Sequence, residues 1–135
     1  MLSDEQFAHI LEFRVALRRF GRFSEEQAGK LGMTAAQYQL LLAVRGHGDA
    51  RGPTIADVAR ALLIRHHSAV GLVDRTRDLG LIERHRDEQD HRLVRLQLTP
   101  LGVERVNALA QAHLKELQTL AEVLGTLLAS NGEAP

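Results

Sequence analysis

The chain contains no cysteine among its 135 residues, which excludes disulfide bonds, thiolate zinc sites and cysteine redox switches. It also lacks any apolar run near the ~20 residues that a membrane-spanning helix requires. Its first residues include Asp4 and Glu5 and show no basic region followed by an apolar stretch, as a secretory signal would. We therefore expect a soluble, cytoplasmic protein that has no membrane partner.

An excess of charge of one sign is absent as well. The 17 basic and 17 acidic residues give a formal net charge of zero with histidine neutral. Proteins that bind nucleic acids usually carry a basic surplus, so the total charge weighs against that class. The attraction to phosphates is local, however, and the positions of the charges therefore matter more than their sum.

Three capping signatures predict helix starts in the first half of the chain. Ser3, Thr34 and Thr54 each precede a Gln or Asp by three residues, which is the spacing of a capped helix N-terminus. Apolar residues then recur at intervals of three and four, as one helix face requires. Gly21 interrupts the first of these patterns, which leaves both a kinked helix and a break open at that position.

The period of the pattern changes in the second half. A fourth helical stretch ends near Gly80, a residue suited to the left-handed conformation that follows many helices. Residues 81–86 and 92–98 then predict two short strands, the second by its alternation of apolar and polar residues. The polar residues 87–91 between them are typical of a hairpin tip.

Two short helices joined tightly and followed by a hairpin indicate a winged helix-turn-helix. In such a unit the second helix fits the major groove of DNA, where each base pair shows a distinct pattern of donors and acceptors. The hairpin tip reaches the neighbouring minor groove, whose negative potential attracts a long cationic side chain. The predicted fold class is mainly α with a small β-hairpin wing.

Residues 54–102 resemble the MarR family of regulators. Four strings occur in the order and spacing of that family: Leu72-Val73-Asp74-Arg75, Gly80-Leu81-Ile82, Asp90-His91-Arg92 and Leu98-Thr99-Pro100-Leu101-Gly102. The resemblance implies that the first and last helices of two subunits interlock in an obligate dimer. It also implies a small aromatic or carboxylate ligand that binds between the dimerisation and DNA-binding parts and weakens operator binding.

The resemblance places the recognition helix at roughly 65–78 and the wing arginine at Arg92, with Asp90 as the carboxylate that holds it. The residues expected to contact DNA are Arg65, His66, His67, Ser68, Arg75, Arg86, Asp90 and Arg92. Alternatives without a DNA contact stay open. Arg75 and Asp74 could form only surface ion pairs with neighbouring turns, and Arg86 could merely solubilise an exposed strand.

Three positions depart from the family pattern. Arg65 stands where a capping Ser, Thr or Asp is expected, so the recognition helix should begin without a good cap. Gly71 occupies a position that is often polar or basic, and a glycine inside a helix costs ~1 kcal/mol relative to alanine. Thr76 stands where a buried leucine is usual. The exact base contacts are therefore not fixed by the resemblance.

Apolar stripes on the first and last helices predict a homodimer, because a long terminal helix has little else in this chain to pack against. Thr99 and Pro100 open that last helix, and its stripe continues to near Ser130, beyond which fraying is expected over residues 131–135. The predicted interface residues are Phe7, Ile10, Leu11, Leu114, Leu117, Leu120, Leu124 and Leu127. The alternative for the C-terminal stripe is a core within one chain.

Together these patterns predict one compact domain with three parts. An N-terminal dimerisation helix region occupies residues 1–33, a winged helix-turn-helix DNA-binding domain residues 34–99, and a C-terminal dimerisation helix residues 100–135. The expected function is a sequence-specific transcriptional regulator, with repression favoured, acting as a homodimer on a pseudo-palindromic double-stranded operator. A winged-helix module for protein–protein contact, without specific DNA readout, is the alternative.

We expect neither a cofactor nor a metal, and the residues of a ligand site stay unknown. His66 and His67 are adjacent, so on a helix they point ~100° apart and are poorly placed to hold one ion. An enzyme is the third class of function considered. It is not favoured, because no phosphate-binding glycine loop, catalytic triad in context or paired-carboxylate setting is present.

Overall fold

The computed structural model describes residues 1–129, so Ser130 and the fraying expected for residues 131–135 lie outside that range. In chain order, the described residues form α1 (Asp4–Lys30), α2 (Ala35–Arg45), α3 (Ile55–Leu62), α4 (His66–Asp78), β1 (Ile82–Arg86), β2 (Val94–Leu98) and α5 (Pro100–Leu128). The strands form an antiparallel hairpin in which Ile82 lies opposite Leu98. The predicted fold, mainly helical with a small hairpin wing, is confirmed.

The predicted helix starts are confirmed by their side-chain caps. Ser3 Oγ accepts the Gln6 N–H at 3.1 Å, and Gln6 Oε1 accepts the Ser3 N–H at 2.7 Å. The same reciprocal bonds occur at the starts of α2 and α3. They satisfy backbone donors that would otherwise lack a partner in the first helical turn.

The question left open at Gly21 is settled in favour of a continuous helix. α1 runs for 27 residues without a break, and Ser24, three residues after Gly21, lies buried inside it. Ala28, one turn further on, is fully buried. This buried face, which packs against α5 and α2, stabilises the helix through the glycine, because packing outweighs a propensity cost of ~1 kcal/mol.

The second strand is shorter than the pattern predicts, because Arg92 and Leu93 belong to the turn. The Leu93 N–H donates to Asp90 O at 3.0 Å, and Leu93 O accepts the Asp87 N–H at 2.9 Å. These two bonds close the turn, and regular pairing begins only at Val94.

The core joins the terminal helices to the winged unit. Its fully buried members include Leu40 and Leu41 of α2, Val58 of α3, Val73 of α4 and Leu96 of β2. α5 adds Val106 and Leu109 from the first part of its apolar stripe. Within residues 1–129, no helix combines the length and apolar character needed to cross a membrane.

The α5 stripe forms a core within one chain only in its first part. Val106 and Leu109 belong to the core of the single chain, whereas Leu114 is 56 % exposed. Phe7 and Leu11 of α1 are likewise 59 % and 61 % exposed. The remaining predicted interface residues are Ile10, Leu117 and Leu124, which are exposed, and Leu120 and Leu127, which are half-buried.

Candidate nucleic-acid interface

The start of α4 presents the four predicted major-groove residues to solvent. Arg65, His66, His67 and Ser68 are all exposed, and Arg65 occupies the N-cap position with an extended backbone (φ −71°, ψ 154°). Within the part of the chain that the structure describes, the Arg65 side chain makes no capping hydrogen bond. The expected poor cap is therefore confirmed, and the first N–H groups of α4 point to a region where an anion is favoured.

The opposite face of α4 is buried and fixes the helix on the core. Ala69, Leu72 and Val73 are buried there, and Thr76 is fully buried at the position where leucine was expected. The Thr76 hydroxyl donates to Leu72 O at 2.7 Å, which satisfies the polar atom inside the helix. The departure at Thr76 therefore leaves no unpaired hydroxyl in the core.

Asp74 connects the recognition helix to the wing. Its carboxylate forms an ion pair with Arg84 of β1. The alternative that Asp74 pairs only with neighbouring turns of α4 is therefore wrong. Arg75 is exposed, and its guanidinium lies beside Gly71, where an added Cβ would be 3.2 Å from Nη1. The glycine thus leaves room for Arg75 to lie along the helix.

The wing tip holds Arg92 in the predicted pairing with Asp90. Arg92 Nε donates to Asp90 Oδ1 and Nη2 donates to Oδ2, both at 3.0 Å. The side chain of Arg92 is 90 % exposed, whereas that of Asp90 is 35 % exposed. The bonds to Arg92 lower the pKa of Asp90, and the pairing raises the pKa of Arg92, so both groups stay charged at neutral pH.

Arg86 lies at the end of β1, beside the same turn. It is exposed, and its Nη1 donates to His91 O at 3.3 Å. A second charged group is therefore present next to the tip, and its guanidinium also supports the turn backbone.

A buried ion pair at the base of the wing was not predicted. Asp87 was assigned to the polar tip and Arg95 to the polar face of a strand, yet their side chains are only 3 % and 12 % exposed. Arg95 Nε donates to Asp87 Oδ2 at 2.8 Å. The available signal was the opposite charge of two residues at diagonal positions of the predicted hairpin, where long side chains meet.

The described residues contain no group of three or more histidine, aspartate and glutamate side chains that could hold a metal ion. The candidate interface is instead a set of guanidinium, imidazole and hydroxyl groups on the start of α4 and on the wing. Such groups donate hydrogen bonds to phosphate oxygens and to the acceptor edges of bases.

Comparison with known proteins gives consistent matches. The sequence model described as MarR family matches residues 31–93. An uncharacterised HTH-type transcriptional regulator of Bacillus subtilis, YfiV, is 29% identical over 119 residues, which cover 87% of this chain and 72% of that protein. The HTH-type transcriptional repressor NicR of Pseudomonas putida is 29% identical over 105 residues, which cover 78% of this chain and 63% of NicR.

Solved structures give the same match at the level of the fold. A mutant of S. aureus MepR bound to an oligodeoxyribonucleotide superposes with a TM-score of 0.68 and 26% identity. The alignment covers 83% of this chain and 80% of the MepR chain. The apo form of E. coli MarR covers all of this chain at a TM-score of 0.71 and 21% identity, which bears on the fold alone.

Proposed function

We propose that this chain is a transcriptional regulator of the MarR family, a sequence-specific DNA-binding repressor that acts as a homodimer. The observation that carries the proposal is the combination of two exposed basic elements in one winged unit. The start of α4 and the wing arginine Arg92 are both exposed, and the ion pair between Asp74 and Arg84 ties the helix to the hairpin.

In the proposed complex, α4 enters the major groove by its N-terminal end. Arg65, His66, His67 and Ser68 face the base edges and the flanking phosphates from this end. Arginine can donate two hydrogen bonds to a guanine, and the unpaired N–H groups of the first helical turn suit a phosphate. The buried face of α4 keeps these donors in place, since its side chains are locked in the core.

The wing places Arg92 in the adjacent minor groove. Asp90 binds one edge of the guanidinium, and the 90 % exposure of the Arg92 side chain leaves the rest of its donors for DNA. Arg75 and Arg86 are exposed and are assigned to phosphate contacts, which position the protein but do not read sequence.

The proposed dimer uses the apolar residues that one chain leaves exposed on α1 and α5. The three functional parts are residues 1–33 and 100–135 for dimerisation and residues 34–99 for DNA binding. An obligate homodimer usually buries a more apolar surface than other interfaces do, and Phe7, Leu11 and Leu114 supply such a surface here. A two-fold symmetric dimer in turn requires a pseudo-palindromic operator.

Family membership supports a regulatory rather than an enzymatic role, and the proposed cellular site is the cytoplasm, where a bacterial operator lies. Release from DNA by a small aromatic or carboxylate ligand is proposed from the family alone. No residue of this chain is assigned to that ligand.

The test is a selection of double-stranded DNA from a random library by the full-length chain, followed by binding titrations. We expect the selected duplex to bind at least ~1,000-fold more tightly than a shuffled duplex. The logarithm of Kd should rise linearly with the logarithm of salt concentration, because bound counterions are released from DNA. Arg92→Ala should weaken binding by about 10-fold while the dimer stays intact.

Arg77→Ala is the matched control, because Arg77 is an exposed arginine near the other end of α4 whose ion pair within residues 1–129 is with its neighbour Asp78, at 3.7 Å. Its affinity should stay within about twofold of the original chain. Equal binding of selected and shuffled DNA with a shallow salt dependence would instead support the protein–protein module. The zero net charge is the observation that favours this second candidate.

A further inference from the structure

Asp87 is a charged side chain enclosed at the base of the wing. Its Oδ1 accepts the backbone N–H groups of Gln89 and Asp90, at 2.8 and 3.0 Å, and its Oδ2 accepts Arg95 Nε–H at 2.8 Å. A carboxylate is costly to remove from water unless its oxygens are matched by donors, and here both oxygens are matched. The turn bonds and Arg95 also lower the pKa of Asp87, so it stays charged at neutral pH.

Asp90 connects the Asp87 carboxylate to the wing arginine, Arg92. The Asp90 backbone N–H donates to Asp87, and the side chain of Asp90 in turn binds Arg92 through three hydrogen bonds, two from the guanidinium and one from the backbone N–H. Asp90 itself lies on the turn, where its backbone O also accepts the Leu93 N–H at 3.0 Å, so its carboxylate can hold Arg92 in one place only while that turn is ordered.

On its other side, Asp87 is connected to the helix-turn-helix. Arg95 donates from Nη1 to Gly52 O at 3.2 Å, and the Leu96 N–H donates to Pro53 O at 2.9 Å. The loop lies so close to β2 that a Cβ on Gly52 would stand 2.0 Å from Leu96 O, and its φ of +89° also requires glycine. This loop leads directly into Thr54, the N-cap of α3.

We propose that Asp87 is a positioning residue for DNA binding, which fixes Arg92 relative to the recognition helix through a chain of contacts from Gly52 to Arg95, Asp87 and Asp90. The inference rests on the proposed function, since it concerns the same wing. The inference goes beyond the proposed function because it assigns part of the affinity for DNA to Asp87, which is too buried to touch DNA. Without Asp87 the fold persists, but the turn and Arg92 become mobile, and binding then has to order them.

The test compares Asp87→Asn, Arg92→Ala and the double variant on the selected duplex. Asparagine keeps an oxygen for the turn N–H groups but turns an amide toward Arg95, which breaks the ion pair. We expect Asp87→Asn to weaken binding by about 10-fold, as Arg92→Ala does. The double variant should bind no more weakly than Arg92→Ala alone, because the two changes remove one contact.

Glu88→Gln is the matched control, because Glu88 is the exposed neighbour of Asp87 and the substitution removes the same charge. It should bind within about twofold of the original chain. Arg95→Lys is a second variant that keeps the charge but loses the bonds from Nε and Nη1, and it should weaken binding like Asp87→Asn if the proposal holds. If Asp87→Asn does not fold, Arg95→Lys still tests the proposal.

A second readout does not need DNA. The heteronuclear NOE of Arg92 Nε should be high in the original chain and fall in Asp87→Asn, while amides of the core stay unchanged. If the NOE falls but the original chain does not discriminate between duplexes, the proposed function fails, whereas the ordering of Arg92 by Asp87 still holds. An unchanged NOE, or losses in affinity that multiply in the double variant, would overturn the positioning role.

Discussion

At the residue scale, His113 shows how a polar side chain can join three helices. Its Nδ1 lies 2.6 Å from Leu109 O, and its Nε2 lies 3.0 Å from Ser24 Oγ in α1. Since a carbonyl oxygen only accepts, Nδ1 is the donor in the bond to Leu109 O. The imidazole also stacks on Tyr38 of α2, with ring centroids 4.7 Å apart.

This contact lies where the terminal helices meet the winged unit, so we expect it to contribute strongly to stability. Replacing His113 by alanine leaves a cavity beside Tyr38 and an unpaired Ser24 hydroxyl in the core. We expect His113→Ala to lower the free energy of unfolding by about 3 kcal/mol.

Chemical denaturation at one fixed protein concentration measures this change, because the stability of a dimer depends on concentration. Gln111→Ala is the control, since Gln111 is exposed on the same helix and should change stability by less than about 0.5 kcal/mol. A loss below about 1 kcal/mol in His113→Ala would show that the buried imidazole contributes little more than an exposed side chain.

At the scale of elements, α4 begins less favourably than its neighbours. α1, α2 and α3 start with a serine or threonine whose side chain caps the helix, whereas α4 starts with Arg65 and lacks such a bond. A capping side chain contributes about 1 kcal/mol. We infer that Arg65 serves DNA contact at the expense of helix stability. Functional sites often break a local stability rule in this way.

This inference predicts a trade-off. Arg65→Ser should raise the free energy of unfolding by about 0.5–1 kcal/mol, because serine can accept the Ser68 N–H, and should weaken binding to the selected duplex by about 10-fold. Arg65→Ala separates the two effects, since it loses the DNA contact and gains no cap. If Arg65→Ser binds DNA as tightly as the original chain, Arg65 does not contact DNA.

The same scale shows what could be predicted from the sequence. The caps at Ser3, Thr34 and Thr54 were predictable because each involves residues only three positions apart. The course of α1 through Gly21 was not, since it depends on burial of Ala28 in the core. Local periodicity carries no information about such packing.

In the candidate site, too, a contact between residues close in sequence was predictable, whereas a long-range contact was not. The pair of Asp90 and Arg92 was predicted because the two residues form part of one short family string. The contact between Arg95 and Gly52 spans 43 positions and depends on how a loop lies against β2. Similarly, the stripe on α5 did not reveal His113, because a histidine among leucines reads as an interruption rather than as a core residue.

At the scale of the whole molecule, one chain leaves large apolar side chains exposed on both terminal helices. Phe7 and Leu11 of α1 and Leu114 and Leu117 of α5 are 59 %, 61 %, 56 % and 46 % exposed. Leaving such side chains in water costs free energy in proportion to their apolar area, and in the proposed dimer a second copy of the chain would remove that cost. The proposed two-fold contact would also set the separation of the two recognition helices.

The dimer therefore predicts a joint change in assembly and DNA binding. Leu117→Asp places a charge in the proposed interface and should convert the dimer to a monomer at micromolar concentration. A monomer contacts one half-site, so its affinity for the selected palindrome should fall by at least ~100-fold. Sedimentation equilibrium measures the mass, and titration of the same samples measures the affinity.

Leu63→Asp is the matched control, because Leu63 is 91 % exposed in the turn between α3 and α4, away from both terminal helices. It replaces a leucine by the same charged residue, and the variant should keep the mass of a dimer. Its DNA affinity should fall less than that of Leu117→Asp. A monomeric Leu117→Asp that still binds the palindrome as tightly as the original chain would mean that each subunit reads DNA independently, and the symmetric arrangement would then be wrong.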